Sequence, residues 1–132
     1  MAIPISPYLF VYGTLRRGLH HPVHLVLARN AEFAGIGRFR GRLYNLGEFP
    51  AAIASEKPSD QVLGEIYALR DAERLFSVLD EYEGSKFRRE SVPITLKNGK
   101  RLRCWIYLYT GRTAGLKIIR TGNYVQFRRS KV

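Results

Sequence analysis

Apolar and polar positions alternate with a period of two along most of this chain, and only two stretches change to a helical period. The first apolar run, Leu9–Tyr12, is short, β-branched and aromatic, as buried strands are, and stops at a turn from Gly13 to Gly18 that carries two arginines. "HPVHLVLARN" (21–30) places Pro22 where a first helical turn tolerates it and apolar residues at 23, 26 and 27, which predicts a short helix. "AEFAGIGRFRGRLYNL" alternates and carries glycines at 35, 37 and 41, which predicts one long bent strand or a hairpin with tight curvature. "PAAIAS" reads as a short strand, "EKPSD" as a turn and "QVLGEIYAL" as a strand.

The second helical stretch is "DAERLFSVLDEYEG", with Asp71 as N-cap and Gly84 as its stop. "RRESVPITLK" and "RLRCWIYLY" then flank Asn98-Gly99 as a hairpin, and the tail "GLKIIRTGNYVQFRRSKV" adds a strand or a short helix. Many curved strands with two helices predict an α+β fold, a small mixed β-barrel flanked by short helices, as one domain over residues 1–132.

Composition narrows the class. With 45% hydrophobic and 12% aromatic residues the chain has material for a core, which excludes disorder. No apolar run reaches the roughly 18 residues of a membrane span, and "MAIPISPYLF" lacks the parts of a secretory signal. The lone Cys104 excludes an internal disulfide and fits a reducing compartment, so a cytoplasmic protein with no membrane role is expected. The net charge of +11 favours acidic partners, but the basic residues are scattered and several alternate with apolar ones, as in Arg38-Phe39-Arg40 and Arg101-Leu102-Arg103. That pattern is read as the wet face of strands rather than as a nucleic-acid footprint.

One carboxylate stands out. At roughly 100° per residue, Ala72, Leu75, Phe76 and Leu79 share one helix face, and Glu83 falls within the same stripe at i+4 from Leu79. Glu81 points the opposite way and Asp80 lies at the flank. An inward carboxylate costs several kcal/mol unless it is paired or neutral, and burial lifts its pKa towards the range useful for proton transfer. Three outcomes stay open at this level: an inward acid, a frayed helix end that leaves Glu83 in solvent, or an ion pair with an arginine.

The segments "FVYGTLRRG", "GRLYNLGEFPAAI", "VLGEIYAL", "LDEYEG", "FRRESVPI", "CWIYLY" and "GLKIIRTGNY" occur in this order between about residues 8 and 125. The series resembles the γ-glutamylcyclotransferase-like family, including the γ-glutamylamine cyclotransferases. The resemblance implies a barrel with one ligand cavity and an enzyme that cyclises a γ-glutamyl amine or amide to 5-oxoproline, with a small-molecule γ-glutamyl substrate and no cofactor. By resemblance the glutamyl part falls to Tyr12, Gly13, Thr14 and Leu15, and the acid/base role to Glu83. Two departures are visible: Phe87 stands where many relatives have tyrosine, and Thr121-Gly122-Asn123-Tyr124 where they often have Ser-Gly-Asp-Trp. A non-catalytic small-ligand domain on the same fold is the alternative, and a basic nucleic-acid-associated protein is a third reading.

Other chemistry-bearing residues have plainer readings. His20 and His24 are spaced i, i+4 but lack a third ligand in a matching position, so no metal is expected. Cys104 lies in a strand-like run and reads as a small buried hydrophobe. In that run Trp105, Tyr107 and Tyr109 alternate with Cys104, Ile106 and Leu108, and one of these faces is expected to line the barrel, with a tyrosine bordering the cavity.

Overall fold

A computed structural model describes residues 7–13, 22–47, 49–124 and 126–127. The elements are β1 (Tyr8–Val11), α1 (Pro22–Asn30), β2 (Ala31–Asn45), β3 (Pro50–Ala54), β4 (Gln61–Leu69), α2 (Ala72–Glu83), β5 (Phe87–Leu96), β6 (Arg101–Tyr109) and β7 (Lys117–Ile118). The stretch after Asn30 is one long strand rather than a hairpin. Its register against β4 shifts between Phe33 and Gly35, the bulge that bends it.

Bending lets β2 pair twice. It runs antiparallel to β4, and at Gly37 and Arg38 its other edge meets Leu96 and Thr95 of β5. The ring β2-β4-β1-β6-β5 therefore closes as a five-stranded barrel. The β1–β6 pair is parallel and the other pairings are antiparallel, so the barrel is mixed. Closure is tight: a Cβ on Gly37 would lie 2.5 Å from Ile94 Cγ2 and 2.9 Å from Ile66 Cδ1. Past the closure, the far half of β2 carries β3 and β7 outside the ring. No helix among the described residues is long and apolar enough to cross a membrane.

Alternation in the strands separates two cores. Phe10, Val62, Ile66, Ile94, Cys104 and Ile106 fill the barrel, each at most 1% exposed. Leu9, Val11, Tyr67 and Tyr107 point outward from the same strands and are covered by Leu27 of α1 and by Leu75, Phe76 and Leu79 of α2. The i, i+3, i+4, i+7 stripe of α2 is thus the face that docks. Asp71 precedes the helix as expected, but the capping expectation is corrected. Its backbone is left-handed (φ 49°) and its side chain makes no cap hydrogen bond. A capping side chain needs an extended backbone to reach back to the first N–H groups. Here the Asp71 carbonyl simply accepts the first helical bond, from Leu75 N–H at 3.1 Å.

Candidate active site

Past the end of β1, the last turn of α2 and the start of β3 come together against the barrel. Between them lies a cavity of about 170 Å³ lined by Phe10, Val11, Tyr12, Gly13, Phe49, Pro50, Tyr82, Glu83, Phe87 and Tyr107. That is below the ~300–1,000 Å³ of pockets for drug-sized ligands, so it suits a small metabolite. Gly13 has a steric reason: a Cβ there would lie 2.7 Å from the Pro50 ring, so the bend packs directly on the first residue of β3. The absent side chain therefore lets two cavity walls meet.

The floor is tied by a hydrogen-bond chain. Tyr12 is 6% exposed; its hydroxyl donates to the Tyr107 carbonyl at 2.5 Å and accepts from Ala52 N–H at 3.4 Å, tying the residue after β1 to β6 and β3. Tyr107 in turn donates its hydroxyl to Asp80 Oδ1 on α2 at 2.5 Å. Asp80 is gripped by Arg89, from Nε to Oδ1 at 3.0 Å and from the second nitrogen to Oδ2 at 3.3 Å. The guanidinium lies 4.0 Å above the Phe76 ring and 4.8 Å from that of Trp105, which fixes the fork in place.

Two carboxylates one helical turn apart are driven in opposite directions. Burial alone would raise Asp80, but the hydrogen bonds from Arg89 and Tyr107 outweigh it and hold the carboxyl below its ordinary range. Glu83 has no ion-pair partner among the described residues, and burial against the apolar cavity wall pushes its carboxyl up to about 7. The C-terminal end of α2, where no basic residue sits in the last turn, adds no counter-charge. Burial likewise keeps Tyr12 and Tyr107 protonated; the Glu83 charge adds to both and the Asp80 hydrogen bond to Tyr107. A carboxyl that gains and loses a proton near neutrality, facing a bend of bare backbone in an apolar hollow, is equipped for proton transfer on a small ligand.

Of the residues singled out in sequence, Tyr12, Gly13 and Glu83 line one cavity, whereas Thr14 and Leu15 lie outside the described residues. So do His20, His21 and the side chain of His24. Glu83 is the inward acid, neither frayed into solvent nor ion-paired among the described residues. Phe87 is in the cavity wall, and Tyr124, the other departure, is 1% exposed in the barrel core. Cys104 is fully buried, its thiol pushed up to about 12 by burial.

The face of β6 that lines the barrel carries Cys104, Ile106 and Leu108, with no tyrosine; Tyr107 borders the cavity from the outer face instead. The β6 alternation could not say which face looked inward. Phe49, Pro50, Tyr82 and the Asp80–Arg89 grip were also missed: Phe49, Pro50 and Arg89 come from segments distant in sequence from α2, and the helical stripe singled out Glu83 without its neighbours Asp80 and Tyr82. Only the i, i+3 spacing of Asp80 and Glu83 hinted at a shared role.

A small mixed barrel with an apolar cavity, and a protonatable carboxyl aimed into it from a covering helix, defines a class of small-molecule-binding barrels. Residues 9–126 match the family described as gamma-glutamyl cyclotransferase, AIG2-like, and the chain belongs to that family. A protein of Methanocaldococcus jannaschii is 31% identical over 125 residues, 92% of this chain and 98% of that protein. The gamma-glutamylaminecyclotransferase of Bos taurus is 33% identical over 112 residues, 75% of this chain and 63% of its own length. Among solved structures, an AIG2-like protein of Mus musculus superposes with a TM-score of 0.68 at 25% identity, covering 86% of each chain.

Proposed function

We propose that this chain cyclises a γ-glutamyl amine or amide to 5-oxoproline and releases the free amine, with Glu83 as general acid/base. The observation that carries the reading is that Glu83 and the Tyr12–Gly13 bend wall the same small cavity. The nucleophile is the substrate's own α-amine, so no protein nucleophile is required. Holding nitrogen and γ-carbonyl in contact is worth roughly 7–11 kcal/mol of barrier. The α-ammonium first gives a proton to the Glu83 carboxylate; nitrogen then bonds to the γ-carbon, Glu83 returns that proton to the departing nitrogen as its bond breaks, and the second proton of the attacking nitrogen passes by way of Glu83 or solvent to the released amine, leaving the neutral lactam. A carboxyl titrating near neutrality does both halves with little penalty, which an ordinary surface glutamate does not.

Tyr12, Gly13, Thr14 and Leu15 are assigned to the glutamyl part, with backbone N–H groups of the bend as donors to its carboxylate or to the oxyanion. A second reading, ligand binding without turnover, draws on Phe87, which puts a bare ring in the cavity wall where many relatives have a hydroxyl. Incubation with γ-glutamyl amines and an assay for 5-oxoproline separates the two. Turnover that disappears in Glu83→Gln supports the enzyme, and binding of γ-glutamyl compounds without product supports the second reading. Turnover undiminished in Glu83→Gln overturns the assignment of the acid.

A further inference from the structure

Glu83 is the last residue of α2, a position where helices fray, yet it faces the cavity. Asp80 holds that final turn at two points. Its carbonyl accepts the closing N–H of Gly84 at 3.1 Å, and the glycine adopts the positive φ (80°) of a helix stop. Its side chain binds the barrel twice, through Arg89 on β5 and through Tyr107 on β6. An exposed ion pair contributes little in general. This one is forked, and its arginine is stacked on two aromatic rings. We propose that Asp80 and Arg89 are positioning residues: the pair clamps the last turn of α2 to the barrel and so keeps Glu83 turned into the cavity rather than into water.

Among the described residues, the titratable groups facing Glu83 are Tyr12 just past β1, Tyr107 from β6 and Tyr82 on its own helix, with the Asp80–Arg89 pair one turn back. Asp80→Ala/Arg89→Met removes one charge of each sign, so the net charge is unchanged while the clamp is gone. The expected result, followed by the 13C shift of the Glu83 carboxyl, is a titration midpoint that falls from about 7 by about one unit or more towards the ordinary value of ~4.3. The inference rests on the proposed reaction only in its kinetic arm. There kcat falls about tenfold or more with KM nearly unchanged, and the acidic limb of the pH profile moves down with the midpoint.

Arg89→Lys keeps the charge but loses the fork, and shifts the midpoint the same way by less. It carries the measurement if the double variant does not fold. A folded variant whose Glu83 midpoint stays at the wild-type value overturns the proposal. Absence of any cyclotransferase turnover in the wild type overturns the reaction assigned above, while the titration still decides the clamp.

Discussion

The inward and outward faces of the same strands carry different physics. Inside the barrel, Phe10, Val62, Ile66, Ile94 and Ile106 pack without room to spare, as the contacts a Cβ would make at Gly37 show. Outside, under α2, apolar residues share the layer with Tyr107, Asp80 and Arg89 in bonded contact. Burial in the interior suppresses the Cys104 thiol, whereas the outer layer holds two carboxyls pushed apart in pKa. Closing a sheet with few strands leaves an interior that only side chains fill. Space and polarity for chemistry therefore arise where a separate element, the helix, packs against the barrel past the end of β1.

That division can be broken experimentally. Glu83→Gln is expected to cost ~10²–10⁴-fold in 5-oxoproline formation, measured as kcat/KM, while the variant stays fully folded. Ile106→Ala, on the other face, is expected to cost ~2–5 kcal/mol in chemical denaturation, because a fully buried side chain leaves a cavity that the closed ring cannot collapse. The protein that remains folded should keep its turnover per molecule. A large activity loss from Ile106→Ala at full folding would show that the two faces are not separable.

The pH dependence of stability sharpens the contrast within the outer layer. Glu83 binds its proton more tightly in the folded chain, so its contribution is complete below its ordinary value of 4.5 and is lost as pH rises to about 7. Asp80 has the opposite sign: its contribution is present above 3.8 and is lost as pH falls below that. Denaturation midpoints across this range should therefore decline towards neutrality in the wild type and decline less in Glu83→Gln. A slope identical in both would remove Glu83 from the apolar wall. The smallest effect concerns Cys104, which should resist thiol reagents at neutral pH in the native state and react on unfolding. Fast native labelling would mean that the barrel opens.

Local pattern determined much of this protein. The helical period picked out Leu75, Phe76 and Leu79 and placed Glu83 among them, and glycine-broken alternation announced the curved strand β2. Those features are legible because each depends on neighbours a few residues away, through 3.6 or two residues per repeat. The strand face that looks inward, the packing of Gly13 on Pro50 and the grip of Arg89 on Asp80 were decided only by the closed fold. A barrel is closed by pairings distant in sequence, such as Gly37 with Leu96, and no local periodicity encodes which strands will share an end. The cavity lies at such an end, so its acid was visible in the sequence and most of its walls were not.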